Sequence, residues 1–361
     1  MSENMPRTTP GFAKPDFPRN AWYASAWSHE VKRELMARKI CNQNIVFFRR
    51  TDGKVAALAD QCWHRLVPLS IGRLHGDRVA CPYHGLEFDC SGRCTHMPSQ
   101  ETINPAARVR AYPCVERHRL VWLWMGDPAL ADPTLVPDIH QNDSPDWAGD
   151  GRRNHAPCNY KLIVDNLMDL THETFVHSTS IGDRAVAEAP FDVTHGKDFV
   201  EVARWMLNIE PPPFWAAQYG KPGKVDRWQI IRFLPPSTIV IDVGVAKTGS
   251  GAPQGDRSQG VTGCVVNTMT PETDSTTHYF WSFQRNYRLE EQTLTNALRE
   301  GVTNVFDEDG AIFKHQQRAI EENPDKTFYN LNIDQGAVWA RRLIERMIDA
   351  ESETAAHAAA E

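Results

Sequence analysis

Residues 164–177, VDNLMDLTHETFVH, combine apolar residues at helical spacing with carboxylates and two histidines. The three- and four-residue steps predict a helix on which Asp165, Asp169 and His172 share one face. His177 lies five residues after His172, about 500° round at roughly 100° per residue, so an unbroken helix would turn it away. If both imidazoles bind one metal, the helix must end or bulge between them.

Two neutral imidazoles and a carboxylate from elsewhere in the chain form the facial triad of non-haem Fe(II) oxygenases, which leaves coordination positions open for O₂ and substrate. The alternative for residues 164–177 is an ordinary helix with one core histidine and one exposed histidine. The stretch by itself favours that alternative. A second cluster of metal-ligand residues upstream makes the metal site the favoured interpretation.

The composition is that of an ordinary globular protein. Of 361 residues, 41% are hydrophobic and 24% are charged, and the net charge of −7 does not favour nucleic-acid binding. The length suggests two domains or one large one. No run of about 18 apolar residues occurs, so no transmembrane helix is expected. The first 20 residues lack the apolar core of a targeting segment, and the eight cysteines fit a reducing cytoplasm better than a disulfide framework.

Two short motifs, CWH at residues 62–64 and CPYH at residues 81–84, each combine a thiolate with an imidazole. Cys62, His64, Cys81 and His84 could form a Cys₂His₂ zinc site. Zinc fingers, however, usually place both cysteines before both histidines. The alternating order fits a Rieske [2Fe-2S] cluster, in which two cysteines hold one iron and two histidines hold the other. The motifs therefore favour a Rieske cluster over zinc.

Strand-like segments dominate the chain up to about residue 130, including residues 39–48 and 120–124, and a turn signal at 51–54 predicts a hairpin. Proline and glycine residues between 126 and 137 predict a linker. We therefore expect an N-terminal domain at 17–130 and a second domain at 138–351. Alternating strands between about 199 and 283 predict an antiparallel sheet with one covered face. Residues 352–361 are predicted to be a polar, alanine-rich tail.

A helix is also predicted from about residue 290 to residue 322, with an apolar stripe at three- and four-residue steps. Asp309 falls on that stripe, where a lone carboxylate is costly unless it is paired or bound to a metal. Asp309 is therefore the candidate third iron ligand beside the two histidines, and the alternative is a salt-bridged or partly exposed carboxylate. Asp307 and Glu308 lie to either side of the stripe and are predicted to be solvated.

With both clusters in place, residues 17–351 resemble the oxygenase component of Rieske non-haem iron O-demethylases, in the vanillate-type branch, with dicamba monooxygenase a more distant relative. Besides the two clusters, the resemblance is carried by the segments RNAWY (19–23), YKLIVDNLMD (160–169), HSTSIG (177–182), PPPFW (211–215), VDRWQI (225–230), TPET (270–273), FDED (306–309) and LNID (331–334). It implies an α+β chain, in which an all-β Rieske [2Fe-2S] domain precedes a helix-grip (START-like) catalytic domain with an antiparallel sheet and C-terminal helices.

The resemblance further implies that His172, His177 and Asp309 hold a mononuclear Fe(II), and that Asp169 links this iron to the Rieske cluster of a neighbouring subunit. It implies a head-to-tail homotrimer and a separate NADH-dependent flavin/[2Fe-2S] reductase. The sequence itself contains no dinucleotide fingerprint and no plant-type ferredoxin cysteine run. The implied reaction is O-demethylation of a vanillate-like methoxylated aromatic acid with O₂, which releases formaldehyde and a phenol.

The sequence is also compatible with other functions. The same iron chemistry serves hydroxylation of the methyl group or ring of another arene, and remote alternatives are a Rieske electron carrier or a zinc-stapled binding protein. A carboxylate substrate needs a cation or donor in an apolar pocket, for which Arg204, Arg232 and Arg285 are candidates. Two residues beside the cluster depart from the family pattern, since Trp63 replaces a common proline and Leu66 a smaller residue.

Overall fold

The structure is a computed structural model that describes residues 8–10, 17–98, 100–177, 181–182 and 184–360. The chain divides into two compact units. The first contains Phe17–Val136 together with the short segment Thr270–Thr273. The second contains the described residues 8–10, Pro137–Met269 and the described residues from 274 onward. Residues 178–180, which belong to one of the family-like segments, lie outside the described residues.

Short antiparallel strands build the first unit. The first strand of the chain, β1 (Thr8–Pro10), belongs to the second unit. The strands of the first unit are β2 (Trp22–Trp27), β3 (Met36–Ile40), β4 (Gln43–Arg49), β5 (Val55–Ala59), β6 (Arg73–His75), β7 (Arg78–Ala80), β8 (Glu87–Phe88), β9 (Cys94–His96), β10 (Ala111–Tyr112), β11 (Cys114–Arg117) and β12 (Leu120–Trp124). From β2 onward they form three sheets, with the orders β10-β5-β4-β3, β11-β12-β2 and β6-β7-β8-β9. The predicted all-β character of this part of the chain is confirmed.

One predicted strand is a hairpin. Cys41 and Asn42 have φ angles of 50° and 64°, and they form a two-residue turn across which Ile40 pairs with Gln43. Two consecutive positive φ angles are typical of the tight type I′ turn, which matches the twist of the flanking strands. The prediction of a continuous strand over residues 39–48 is therefore wrong. The turn could not be recognised from the sequence because it contains neither glycine nor proline.

A seven-stranded antiparallel sheet forms the centre of the second unit. Its strands are β13 (Ala148–Ala156), β14 (Phe191–His195), β15 (Val200–Ile209), β16 (Val225–Leu234), β17 (Thr238–Lys247), β18 (Gly260–Pro271) and β19 (Thr277–Arg285), in the order β13-β19-β18-β17-β16-β15-β14. A further strand, β20 (Thr327–Tyr329), pairs with β1. Every residue of β19 is buried, so this strand is covered on both faces and the predicted single covered face is wrong there.

The helices of the described chain are α1 (Tyr160–Met168), α2 (Glu173–Val176), α3 (Arg184–Glu188), α4 (Pro213–Tyr219), α5 (Gln292–Glu322) and α6 (Gln335–Ala360). The long helix predicted at 290–322 corresponds to α5, and α6 continues through most of the segment predicted as a tail. Residue 361 lies outside the described residues. Within the described part of the chain, no helix is both long and apolar enough to cross a membrane.

Candidate metal centres

The two histidines of residues 164–177 flank a one-turn helix. α1 ends at Met168, and Asp169 leaves helical geometry with φ −134° and ψ 106°. Its carboxylate accepts hydrogen bonds from the N–H and the hydroxyl of Thr171, at 3.0 and 2.6 Å, and so caps a 3-10 turn that ends at His172. α2 follows at once, and His177 stands directly after it. The prediction of one helix through Asp169 to His172 is wrong, because the Asp169 side chain bonds to local backbone and starts a new turn. The helix end that is expected between the two histidines is found at Val176.

The structure brings His172, His177 and Asp309 together. Their ligand atoms all lie within 4.8 Å of one another, and no other group of three or more His, Cys, Asp or Glu residues in the described part of the chain is as close. Nε2 of His172 lies 3.6 Å from Oδ1 of Asp309, and Nε2 of His177 lies 3.2 Å from the same oxygen. Two imidazoles and one carboxylate around one point are the ligand set of non-haem Fe(II).

A hydrogen bond at Nδ1 fixes each of the two imidazoles. Nδ1 of His172 donates to the main-chain carbonyl of Asp169 at 2.7 Å. Nδ1 of His177 lies 2.6 Å from Oε2 of Glu308. Because both Nδ1 atoms are engaged, both rings turn Nε2 towards Asp309, and each is held in the tautomer that a metal ion needs. The donor set and the orientation of its members therefore fit a divalent iron.

Glu308 is a site residue that the sequence pattern did not reveal. Its predicted solvation is wrong, since the side chain is 35% exposed and bonds to His177, which is 1% exposed. An apolar stripe identifies only residues that face the core. Glu308 lies about 100° round the helix from Asp309, where a long side chain can still reach the outer nitrogen of a ligand imidazole.

Replacing Glu308 with alanine is expected to weaken iron binding by about 10- to 100-fold, because the His177 ring loses the carboxylate that fixes its orientation. Iron titration of protein that keeps its cluster but has lost the mononuclear iron measures this affinity, with the absorbance of the cluster as an internal standard. Glu308→Gln should restore part of the affinity, since the amide oxygen still accepts from Nδ1. An unchanged iron affinity in the alanine variant would show that His177 is oriented by its packing alone.

The Asp169 carboxylate is not the group that bonds to His172. The residue holds the imidazole through its main-chain carbonyl, whereas its carboxylate bonds to Thr171 and lies 3.7 Å from the guanidinium of Arg204. The Asp169 side chain is 13% exposed and Arg204 is buried. The carboxylate is therefore bonded beside the candidate ligand, not to it, and part of the side chain is exposed.

A largely apolar cavity of about 200 Å³ adjoins the three candidate ligands. Its wall is formed by side chains from α4, four strands of the sheet and one face of α5. The apolar part of the wall includes Phe214, Trp215, Ile241, Val243, Val265 and Phe283. A wall of this kind excludes water and accommodates an aromatic ring. The cavity thus has the size and polarity for a small aromatic molecule.

Three polar side chains interrupt the apolar wall: Glu173, Arg227 and Gln229. Glu173, the residue after His172, is buried and accepts hydrogen bonds from Nε2 of Gln229, at 3.1 and 3.0 Å, and from the Arg227 guanidinium at 3.4 Å. These contacts, which we call the Glu173 network, tie α2 to β16. The network is the polar part of the cavity wall outside the metal ligands.

None of the three arginines proposed from the sequence lines the cavity. Arg204 bonds to the Thr171 hydroxyl, and the exposed Arg232 forms an ion pair with Glu201. Arg285 bonds to main-chain carbonyls before the start of α5. The cationic residue of the wall is Arg227, which lies inside the family-like segment at 225–230 but could not be assigned to the wall from its sequence context.

In the first unit, two loops place the cysteines in the core and the histidines at the surface. Cys62 and Cys81 are 1% and 4% exposed, while His64 and His84 are exposed and their Nδ1 atoms lie 3.2 Å apart. Burial raises the pKa of the Cys62 thiol to about 11, so a bound metal is needed to hold this sulfur as a thiolate at neutral pH.

The two loops adopt the same type of backbone turn. The Leu66 N–H donates to the Cys62 carbonyl at 2.9 Å, and the Gly85 N–H donates to the Cys81 carbonyl at 3.1 Å. Both donors have positive φ angles, 60° for Leu66 and 72° for Gly85. Leu66 thus occupies a backbone position that glycine adopts without steric cost.

The geometry of these loops separates the two metal alternatives. A zinc ion would gather all four ligand atoms round one tetrahedral centre. No three of the four side chains bring their ligand atoms within 4.8 Å of one another. A pair of buried sulfurs on one side and a pair of Nδ1 atoms on the other is the ligand arrangement of a two-iron Rieske cluster.

Four large apolar side chains in or near the two cluster loops are exposed. Trp63 is 41% exposed, Tyr83 is 63% exposed, and Leu66 and Ile71 are 67% and 68% exposed. The Tyr83 ring contacts the His84 ring at a tilt of 33°, with centroids 3.9 Å apart. We call these four residues the apolar tip. An exposed apolar group of this kind marks a surface that contacts another molecule.

Two family models match the chain. Residues 21–113 match the Rieske [2Fe-2S] domain, and residues 156–350 match the vanillate O-demethylase oxygenase C-terminal domain. The two matches together include every candidate ligand named above. The second match alone covers more than half of the chain.

Related proteins match over nearly the whole chain. The vanillate O-demethylase oxygenase subunit of Pseudomonas sp. (strain HR199 / DSM 7063) is 42% identical over 94% of this chain and 97% of its own. An iron-sulfur subunit of the toluene-4-sulfonate monooxygenase system of Comamonas testosteroni is 40% identical over 93% and 98%. A solved structure of dicamba monooxygenase with non-heme iron and dicamba is 32% identical over 93% and 98%, with a TM-score of 0.81.

Proposed function

The chain belongs to the vanillate O-demethylase oxygenase family of Rieske proteins, and we propose that it is an oxygenase component that O-demethylates a methoxylated aromatic acid of the vanillate type. The observation that carries this proposal is the set His172, His177 and Asp309 at the wall of an apolar cavity. An electron carrier or a zinc-stapled binding protein needs neither this ligand set nor the cavity beside it.

The cofactors are a Rieske [2Fe-2S] cluster and a mononuclear iron. We assign Cys62, His64, Cys81 and His84 to the cluster, and His172, His177 and Asp309 to the iron. When bound, the two centres supply electrons and the activation of O₂. Asp309 supplies negative charge to the iron site, and the hydrogen bonds at Nδ1 keep Nε2 of both imidazoles aimed at the metal.

The reaction inserts one oxygen atom of O₂ into a C–H bond of the methoxy group. Two electrons from the reductase and two protons reduce the other oxygen atom to water. The resulting hemiacetal breaks the bond between the methyl-derived carbon and the oxygen that is attached to the aromatic ring. Formaldehyde and a phenol are the products. The apolar wall keeps bulk water out during these steps. The acid group of the substrate needs a cationic partner, and Arg227, which also contacts Glu173, is the cationic side chain of the wall.

A second candidate function is hydroxylation of a methyl group on another aromatic anion. The observation that favours it is the 40% identity to the iron-sulfur subunit of a toluene-4-sulfonate monooxygenase system. The same ligands and cavity serve both reactions, because a methyl group on a ring and a methyl group on an ether oxygen both present C–H bonds. The two functions differ in product, since only the ether releases formaldehyde.

The protein is expected to act with a separate reductase, NADH-dependent and carrying flavin and a [2Fe-2S] cluster, in the bacterial cytoplasm. Relatives are named as an oxygenase subunit or an oxygenase component, which supports the division into two proteins. The expected assembly is a head-to-tail trimer, in which the apolar tip of one chain contacts the next. The exposure of that tip beside the two cluster histidines supports this arrangement.

Replacing Leu66 with aspartate is expected to weaken self-association by roughly tenfold or more, because a charge in an apolar contact must be desolvated. The residue is exposed within the chain, so the cluster absorbance per chain should stay unchanged. Analytical ultracentrifugation over a concentration series measures the effect, and Leu130→Asp is the control at an exposed leucine outside the apolar tip. Equal association of both variants and the unmodified protein would contradict the assignment of the tip to the trimer contact.

A single-turnover experiment tests the proposed function directly. The purified protein, chemically reduced without a reductase, is mixed with vanillate and O₂ and assayed for formaldehyde and the demethylated catechol. One product per active site is expected. Oxidation of the cluster without formaldehyde would contradict O-demethylation of vanillate, and hydroxymethyl product from 4-toluenesulfonate under the same conditions would establish the second candidate.

A further inference from the structure

The first unit carries a positive charge that the rest of the chain does not share. Residues 17–136 contain 16 Lys and Arg against 11 Asp and Glu, a net charge of +5, while the whole chain has a net charge of −7. The remaining residues therefore carry −12. A charge distribution this uneven attracts a partner of opposite sign to one part of the surface. The positive unit also holds the cluster ligands, so an acidic partner is drawn to the unit that contains the cluster.

Part of this charge lies on one face of the sheet β6-β7-β8-β9. The side chains of Leu74, Val79 and Cys94 pack into the core of the first unit. Because successive side chains of a strand point to opposite faces, the residue before each of them points outward. Those three residues are arginines, and a fourth arginine pairs with the last of them across a β-bridge. We call these four exposed residues the basic face: Arg73, Arg78, Arg93 and Arg108.

Two of these arginines lie directly opposite each other. The β-bridge pairs Arg93 with Arg108, and like charges at such positions repel. The Arg93 side chain is 70% exposed, and its ion pair with Asp89 is long, at 3.7 Å. Within the described part of the chain, the side chains of Arg73 and Arg108 form no hydrogen bond and no ion pair. The basic face therefore keeps positive charge that the chain itself does not neutralise.

The basic face lies on strands that lead to a cluster ligand. β7 ends at Ala80, which pairs with Arg73, and Cys81 follows Ala80 directly. Paired residues start about 5 Å apart and consecutive Cα atoms lie roughly 3.8 Å apart, so the Arg73 side chain starts within about 10 Å of Cys81. Glu87, the carboxylate of this face, pairs with Arg78 at 3.0 Å. A protein bound to the basic face is therefore close to the cysteine side of the cluster.

The apolar tip and the basic face suit two different kinds of contact. A permanent contact between copies of a chain is mostly apolar, which is the composition of the apolar tip. A donor protein that delivers an electron and then leaves needs a small, charged contact that forms fast and breaks fast. The basic face has this second composition, so it fits a transient redox partner better than a further copy of the chain.

We propose that the basic face is the docking site of the electron-donating protein, and that it binds an acidic surface on the [2Fe-2S] domain of the reductase. The inference rests on the proposed function and adds the surface through which the reductase acts. In each encounter the reduced donor loses one electron and the oxidised Rieske cluster gains it, and no bond forms or breaks. Two encounters supply the two electrons of one turnover.

The probe for this site is a plant-type [2Fe-2S] ferredoxin with an acidic surface, which transfers one electron at a time. Fluorescence anisotropy of labelled ferredoxin measures its binding to the holoenzyme, and stopped-flow absorbance measures reduction of the cluster. Raising the ionic strength from about 0.01 M to about 0.15 M shortens the Debye length from roughly 30 Å to roughly 8 Å, so both the affinity and the reduction rate should fall about tenfold. Reduction by a neutral deazaflavin photoreductant should not depend on salt.

Charge reversal at two separate points locates the contact. Arg73→Glu combined with Arg108→Glu should weaken ferredoxin binding and slow reduction by ferredoxin about tenfold or more at low salt. Arg73→Lys with Arg108→Lys keeps the charge and should behave like the unmodified protein. The matched control is Lys54→Glu with Arg117→Glu, which changes the net charge equally at exposed cations outside the sheet β6-β7-β8-β9. Cluster absorbance and reduction by deazaflavin show that each variant is intact.

Three results would overturn the docking site. The first is a ferredoxin that does not bind, or that binds and reduces the unmodified protein independently of salt. The second is an equal loss in the control variant. The third is a charge-reversed variant that sediments as a smaller assembly, because the basic face is then a contact between copies of the chain. Arg108→Glu alone, which places a carboxylate opposite Arg93, replaces the double variant if that variant loses its cluster, and the salt dependence of the unmodified protein decides if both do.

Formaldehyde assays keep this inference separate from the proposed function. Formaldehyde from chemically reduced protein, together with undiminished ferredoxin binding by the charge-reversed variant, would sink the docking site and leave O-demethylation standing. Reduction by ferredoxin that depends on the basic face, without formaldehyde from vanillate, would do the reverse.

Discussion

Replacing Asp309 with alanine is expected to remove the mononuclear iron completely and to reduce formaldehyde formation to background, while the Rieske cluster stays intact. The carboxylate is 3% exposed and lies 3.2 Å from Nε2 of His177, so no other anion takes its place in the site. Two neutral imidazoles alone bind a hard divalent iron weakly. Metal analysis should therefore fall from three iron atoms per chain to two, with an unchanged visible spectrum.

Asp307→Ala is the matched control for this prediction. Asp307 lies on the same helix two residues away, and its side chain is exposed, so its loss should change neither the iron content nor turnover. Full iron content in Asp309→Ala would contradict the ligand assignment. Loss of iron in both variants would mean that this part of α5 is disturbed in general, and that the carboxylate of Asp309 has no special role.

Replacing Asp169 with alanine is expected to leave both metal centres filled and to abolish coupled turnover. The His172 imidazole is held by the main-chain carbonyl of residue 169, which the substitution retains, so iron should stay bound. The lost cap of the 3-10 turn costs about 1 kcal/mol. Rapid mixing of the chemically reduced variant with vanillate and O₂ should show a cluster that stays reduced, whereas the unmodified protein oxidises within one turnover.

Asp169→Asn separates the two roles of this side chain. The amide oxygen can still accept from Thr171 and cap the turn, but the negative charge beside Arg204 is lost. If the carboxylate links the iron to the cluster of a neighbouring chain, the asparagine variant should be as inactive as the alanine variant. Normal turnover in Asp169→Asn would reduce the role of Asp169 to capping.

Local patterns were sufficient for the chemistry of the metal sites. The spacing and order of the Cys and His residues at 62–64 and 81–84 indicated a Rieske cluster, because the four ligands come from two short loops. The buried carboxylate at 309 stood out because a charge on an apolar helix face is costly unless it is paired or bound to a metal. The strands of the large sheet were also visible in the sequence, since alternation and β-branched content extend over whole strands.

Two of the errors have a common physical cause, which is a local backbone feature that hydrophobic periodicity does not report. Helical spacing continued through Asp169, yet its side chain capped a new turn and broke the helix. The hairpin at residues 41–42 uses positive φ angles without glycine. In both places the backbone conformation depends on the particular residues of a short turn, and hydrophobic periodicity does not report it.

The sequence by itself therefore determined the fold class, the family resemblance and the candidate ligands, because each of these depends on residue type and spacing. Only the tertiary structure decided which polar side chains meet in the cavity. Arg227 and Gln229 stand on a strand segment that is buried throughout, so the sequence could not say which side chains line the cavity. Their partnership with Glu173, and that of Glu308 with His177, joins residues more than 50 positions apart. Contacts of this kind arise only when the sheet and helices have packed, since nothing in the local sequence encodes the partner.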